Sequence, residues 1–129
     1  GAYATAIAAW CNALKVGRPL RSDGDGMQSR DMIYVDDVAT ANVLAALHGE
    51  DLKGAPFNIC TGHSVTNNEI LQMVWKAVGP YERTNAPWRP GDVMHTLGDP
   101  ALATKVFGFR SHTPFAEGLD STMKWWGLL

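Results

Sequence analysis

Apolar side chains first recur at helical spacing between Tyr3 and about Val16, where Tyr3, Ile7, Trp10, Cys11 and Leu14 fall on one face. Gly17 and Pro19 end that helix, glycine just past its last turn and proline beyond. Ser22-Asp23-Gly24-Asp25-Gly26 is a turn-rich run that belongs on a surface. Met32-Ile33-Tyr34-Val35 predicts a short strand, after which Asp36 or Asp37 caps an alanine-rich helix to about His48, closed by Gly49. Val38, Ala39, Ala41, Val43, Leu44, Ala45, Ala46 and Leu47 circle most of this helix, a pattern that expects cover on more than one side.

Further along, Pro56-Phe57-Asn58-Ile59-Cys60 predicts a strand that Gly62 turns. Thr66-Asn67-Asn68-Glu69 is a capping box, and Ile70, Met73, Val74, Ala77 and Val78 form the stripe of the helix it opens. Gly79-Pro80 ends that helix, and an extended segment follows from Arg83 to Pro87. Asp99-Pro100 and Thr113-Pro114 each begin a short closing helix. The pattern predicts one mixed α/β domain over residues 1–129, richer in helix than in strand, with no repeats or linkers.

Composition narrows the classes of function. With 11 Lys and Arg against 13 Asp and Glu, scattered without runs, the chain has no basic surface for nucleic acid or an anionic membrane. No apolar run is long enough to span a bilayer. Cys11 and Cys60 sit far apart in apolar contexts and read as reduced, buried side chains, which fits a cytoplasmic protein. Gly1 stands where an initiator Met would be, so the start reads as processed or as an internal cut.

Two loops could carry chemistry. In the first, Gly24 and Gly26 leave backbone room for a ligand, and Arg30 adds a planar fork suited to phosphate oxygens. A hairpin turn with Arg30 paired to Asp31 or Asp36 accounts for the same spacing. In the second, Pro90-Gly91 bends the chain so that Arg89 and Asp92 can face one small volume, an arrangement that suits a diphosphate beside a ribose hydroxyl. On spacing alone an ordinary turn is the better account, because Pro-Gly-Asp favours turns anyway. Cys60-Thr61-Gly62-His63 lacks a second ligand pair at zinc spacing. His48, His63, His95 and His112 are dispersed, and none belongs to a nucleophile–base motif. Trp125-Trp126 reads as packing or interface.

In order, these motifs resemble a known family. Gly24-Asp25-Gly26-x-Gln28-x-Arg30-Asp31-x-Ile33-Tyr34-Val35-Asp36-Asp37-Val38-Ala39 is close to the signature of extended short-chain dehydrogenase/reductases that act on nucleotide sugars. Phe57-Asn58-Ile59-x-Thr61-Gly62, Asn68-Glu69-Ile70, Arg89-Pro90-Gly91-Asp92-Val93-x-His95-Thr96, Gly108-Phe109 and Pro114-x-x-x-Glu117-Gly118-Leu119 follow in register. The resemblance, from about Tyr3 to Trp126, implies the C-terminal, substrate-binding part of an NAD-dependent epimerase/dehydratase, without the N-terminal Rossmann half.

The resemblance also implies roles. Arg30 and Arg89 would bind the substrate's diphosphate, and Asp92 would reach the nucleotide ribose. Family members often carry an aromatic or aliphatic residue just before the Gly-Asp-Gly, beside the base, where this chain has Ser22-Asp23. The family's Gly-x-x-Gly-x-x-Gly turn for the NAD pyrophosphate and its Tyr-x-x-x-Lys pair do not occur in these residues; Tyr3, Tyr34 and Tyr81 are followed four positions on by Ile7, Val38 and Asn85. No catalytic, cofactor or metal residue is therefore expected in this chain, while NAD(P) is implied for the full-length enzyme. Its reaction would be transient oxidation at NAD followed by epimerisation, dehydration or reduction. The expected partners are a nucleotide sugar and either a second copy of the chain or a separately encoded NAD-binding half. A free-standing nucleotide-sugar-binding module is the alternative.

Overall fold

The computed structural model describes residues 5–129, so Tyr3 and the start of the first predicted helix lie outside the described residues. The elements run α1 (Ala6–Lys15), β1 (Leu20–Asp23), β2 (Ser29–Asp31), α2 (Val35–Leu47), β3 (Ser64–Thr66), α3 (Asn67–Val78), β4 (Arg83–Ala86), α4 (Ala101–Phe107) and α5 (Phe115–Trp125). The mixed, helix-rich α/β class is as expected. These elements gather into two compact units.

The first unit holds the described residues up to Gln28, with Thr66–Met94 and Ala116–Leu129. Its sheet is a parallel pair, β1 beside β4, in register from Leu20 opposite Arg83 to Asp23 opposite Ala86. The pattern along the chain foresees β4 but not β1, because Ser22 and Asp23 have the composition of a turn. Ser22 is nonetheless buried, as Leu20 is, its hydroxyl accepting from Arg83 Nη2 at 3.1 Å. The first helix buries Trp10, Cys11 and Ala13, and the Trp10 indole donates to the Arg21 carbonyl at 2.7 Å, tying α1 to β1. The capping box forms as its sequence demands: the Thr66 hydroxyl accepts from the Glu69 N–H, and the Glu69 carboxylate accepts from the Thr66 N–H at 2.7 Å. The stripe of α3 is rotated slightly from the expected one, with Asn67, Ile70, Leu71 and Val74 buried and Ala77 exposed.

The second unit comprises Ser29–Val65 and His95–Phe115. Here β2 pairs with β3, and Ser29 makes an isolated parallel bridge to His95. Ala41 of α2 packs with Ala103 and Phe109, and Ile33, Leu44, Phe57, Ile59 and Phe107 surround them. The rings of Phe57 and Phe107 meet edge to face at 5.0 Å.

Three local expectations are corrected in this unit. Met32–Val35 is not a strand: β2 ends at Asp31, and Tyr34 is the N-cap of α2, with no side-chain bond. Asp36 and Asp37 lie inside the first helical turn instead, where a negative charge still suits the helix dipole. From that position the buried Asp37 carboxylate accepts from the Ser111 hydroxyl at 2.9 Å and from the His112 and Thr113 N–H groups at 3.2 and 3.0 Å. Pro56–Cys60 pairs with no neighbour among the described residues, so it is not a strand either.

Candidate functional site

In the first unit, chemistry gathers where β1 and β4 end, the side of a parallel sheet on which α/β proteins bind ligands. The chain leaves β1 through Asp23-Gly24-Asp25-Gly26. Gly24 donates to the Ala86 carbonyl at 2.9 Å and has φ +65°, and a Cβ there would lie 2.6 Å from the Trp88 ring. Gly26, at φ +78°, leaves no room for a Cβ against the Asn68 amide. Both glycines are thus required by backbone angle and by space. The turn is pinned by Met27 N–H to Asp25 Oδ1 at 2.9 Å, Asn68 Nδ2 to the Asp25 carbonyl at 2.9 Å, and Gln28 Nε2 to the Asp23 carbonyl at 2.9 Å. Gln28 Oε1 is buried and receives no hydrogen bond from the protein, an arrangement that costs about 1–3 kcal/mol.

Arg89 and Asp92 flank a tight turn just past β4. Asp92 N–H donates to the Arg89 carbonyl at 3.2 Å, and Gly91 has φ +85°, which fits a type II turn with Pro90 before it. Arg89 Nε lies 2.6 Å from Asp23 Oδ2, while Arg21 Nε lies 2.7 Å from Asp23 Oδ1. One carboxylate therefore holds two guanidiniums. Arg83 stands nearby on β4, donating to Ser22 and Asn68.

Arg30 belongs to the second unit, on β2, and its Nη1 donates to the Ser29 carbonyl at 2.8 Å. Its neighbour Asp31 is a structural latch. One oxygen accepts from Thr61 N–H at 3.0 Å and the Thr61 hydroxyl at 2.6 Å; the other accepts from Gly62 N–H at 2.9 Å and Gly98 N–H at 3.2 Å. Burial pushes the Asp31 carboxyl up, but these four bonds outweigh it and hold the group below the usual carboxylate range. Asp37 is held low by the same balance, with Thr113, Ser111 and His112 as donors. Burial, followed by the Asp31 charge, pushes the Cys60 thiol up, which makes it a poor nucleophile. Cys11 and Cys60 are free thiols. Ser29 Oγ lies 2.8 Å from His95 Nδ1, a contact that fastens the β-bridge between these two residues.

Arg89 and Asp92 thus share one turn, as their spacing suggests, whereas Arg30 is placed in the other unit. Sequence reasoning missed Asp23 and Arg21 as Arg89's companions. Their signal was the parallel pairing of β1 and β4, which no local pattern encodes. The arrangement can bind an anion and offer an acceptor to hydroxyls. Gly24-Asp25-Gly26 leads to β2 and not into a helix, so this turn lacks the helix N-terminus on which a dinucleotide pyrophosphate would sit. Among the described residues, no group of three or more His, Cys, Asp or Glu side chains could hold a metal ion, and no helix is long and apolar enough to cross a membrane.

Comparison with known proteins agrees with this fold and loop pattern. The NAD dependent epimerase/dehydratase family pattern matches residues 1–60. A UDP-glucose 4-epimerase from Mycolicibacterium smegmatis is 34% identical over 119 residues, spanning 92% of this chain and 37% of that protein. The structure of a UDP-glucose 4-epimerase with UDP-glucose from Thermotoga maritima superposes with a TM-score of 0.85 at 31% identity, covering 96% of this chain and 40% of that one. A UDP-glucuronic acid 4-epimerase from Bacillus cereus superposes with a TM-score of 0.88 over 95% of this chain and 40% of that one, and at 22% identity it speaks for the fold alone. The architecture is therefore part of an extended short-chain dehydrogenase/reductase fold. The chain belongs to the NAD-dependent epimerase/dehydratase family, and it spans about two fifths of the length of these relatives.

Proposed function

We propose that these residues form the C-terminal, nucleotide-sugar-binding part of an NAD-dependent epimerase/dehydratase, with Arg30 and Arg89 on the substrate's diphosphate and Asp92 on the nucleotide ribose. The observation that carries this reading is Arg89 and Asp92 on one rigid turn, next to the glycine turn that closes β1. A guanidinium suits a phosphate because its planar fork makes charge-assisted bonds, the strong kind. Similarity to the Thermotoga maritima epimerase bound to UDP-glucose supports the substrate class. The proton and hydride steps would fall to NAD and to acid–base groups that these residues do not supply. On this reading the chain by itself turns over no nucleotide sugar and does not hold NAD.

Titration calorimetry with UDP and with NAD tests the proposal. We expect saturable UDP binding, weakened about tenfold or more by Arg30→Ala or Arg89→Ala, and no heat from NAD. Absent UDP binding, or saturable NAD binding at micromolar concentration, would sink the proposal.

One observation favours a second surface. Val35, Val43 and Leu47 are 66%, 56% and 78% exposed and lie along one side of α2 at multiples of four residues. Such a stripe suits a partner, either a second copy of the chain or an NAD-binding half.

A further inference from the structure

We propose that Asp23 is the positioning residue of this site, holding Arg89 in place for the diphosphate; the inference rests on the substrate reading above. Three observations carry it. First, Asp23 ends β1 with its backbone fixed by the parallel register to Ala86 and by the Gln28 amide on its carbonyl. Second, its side chain is only 13% exposed and gives one oxygen to Arg21 and the other to Arg89. Third, the Arg89 side chain is 60% exposed on a loop, and this carboxylate is what it pairs with. A short, half-buried aspartate on a strand is a rigid anchor, whereas a surface arginine is a long side chain with many rotamers. The family resemblance puts an aromatic or aliphatic side chain at this position, and Asp23 converts it into a bridge between two cations.

Removing the carboxylate has opposite consequences for an anion. It deletes a like charge, which in water-like surroundings at about 6 Å would tighten anion binding by about threefold. It also frees Arg89 to sample its rotamers, which can weaken binding by up to about thirtyfold. Positioning is the larger effect, and the net expectation is about tenfold weaker binding.

The experiment measures UDP affinity by titration calorimetry for the wild type, Asp23→Ala, Asp23→Asn, Arg89→Ala and the Asp23→Ala/Arg89→Ala double variant. In parallel, NMR follows the Arg89 Nε–H resonance without ligand. We expect about tenfold weaker UDP binding in Asp23→Ala, a smaller loss in Asp23→Asn, which keeps an acceptor, and no further loss when Asp23→Ala is added to Arg89→Ala. That non-additivity is the signature of action through Arg89, which a general loss of stability would not produce. The Nε–H signal should be sharp in the wild type and broadened by exchange in Asp23→Ala. Equal or tighter UDP binding in Asp23→Ala, additive losses, or an unchanged Nε–H signal would overturn the positioning role. A wild type that binds no UDP, with the Nε–H result intact, would instead overturn the substrate reading on which the role depends.

Discussion

Replacing Asp31 by Asn tests whether the second unit depends on one carboxylate. Two donors converge on each of its oxygens: Thr61 N–H and hydroxyl on one, Gly62 and Gly98 N–H on the other. An asparagine has one oxygen, so whichever way it turns, its NH₂ faces two donors and two hydrogen bonds are lost. Hydrogen bonds to a charged acceptor are worth about 1.5–3 kcal/mol each, and Asp31 is only half-buried, so the lower end applies: about 3 kcal/mol in total. An unfolding entropy of about 2 cal/mol/K per residue turns this into a fall in Tm of about 10 °C.

The pH dependence carries a definite sign. The folded Asp31 carboxyl lies below its ordinary value, so its contribution is present above the unfolded pKa of about 3.9 and is lost as pH falls through the folded value. Urea and thermal unfolding of both proteins from pH 7 to pH 3 should show the full gap at neutral pH and a narrowing gap below about pH 4. A variant that melts within about 1 °C of the wild type at pH 7, or a gap constant down to pH 3, would refute the latch.

Two further outcomes are expected. Gly98→Ala would put a Cβ into the Cys60 side chain, 2.8 Å from its Cβ, and should cost about 1–3 kcal/mol in chemical unfolding, with partial recovery in a Gly98→Ala/Cys60→Gly double variant. Light scattering across a concentration series should show self-association of the isolated chain that Leu47→Lys reduces, since Leu47 is the most exposed side chain of the α2 stripe; a strict monomer at high micromolar concentration speaks against the second-copy form of that proposal.

Helices were legible because their signals are local. Thr66 and Glu69 specify the start of α3 whatever surrounds them, and Gly79 specifies its end. The turn containing Arg89 and Asp92 was equally legible, since Pro90-Gly91 is a local instruction. The signature containing Arg30 likewise pointed to the family. What stayed hidden depends on contacts distant in sequence. Asp37 looked like a cap because the only visible clue was its place before a helix; its actual partners, Ser111, His112 and Thr113, are more than seventy residues away. Asp31 looked like a candidate partner for Arg30, but its carboxylate is committed to backbone and hydroxyl donors from two other loops.

The strands make the same point more sharply, because a strand is a property of a pair. Leu20–Asp23 has a turn-like sequence, with Arg21, Ser22 and Asp23 in succession, yet it is a strand because Arg83–Ala86 lies alongside it in register. Pro56–Cys60 has the stronger strand composition, yet it is unpaired among the described residues. Backbone N–H and C=O groups outweigh β-propensity here: where a neighbour supplies hydrogen bonds, unfavourable residues become strand, and where none does, favourable ones do not. The consequence for the site is direct. Asp23 bridges Arg21 and Arg89 only because β1 is paired, since parallel register to Ala86 sets where its side chain stands. The same three residues without β4 would be an ordinary polar turn, and no count of charges along the chain could have distinguished that turn from an arginine-positioning anchor.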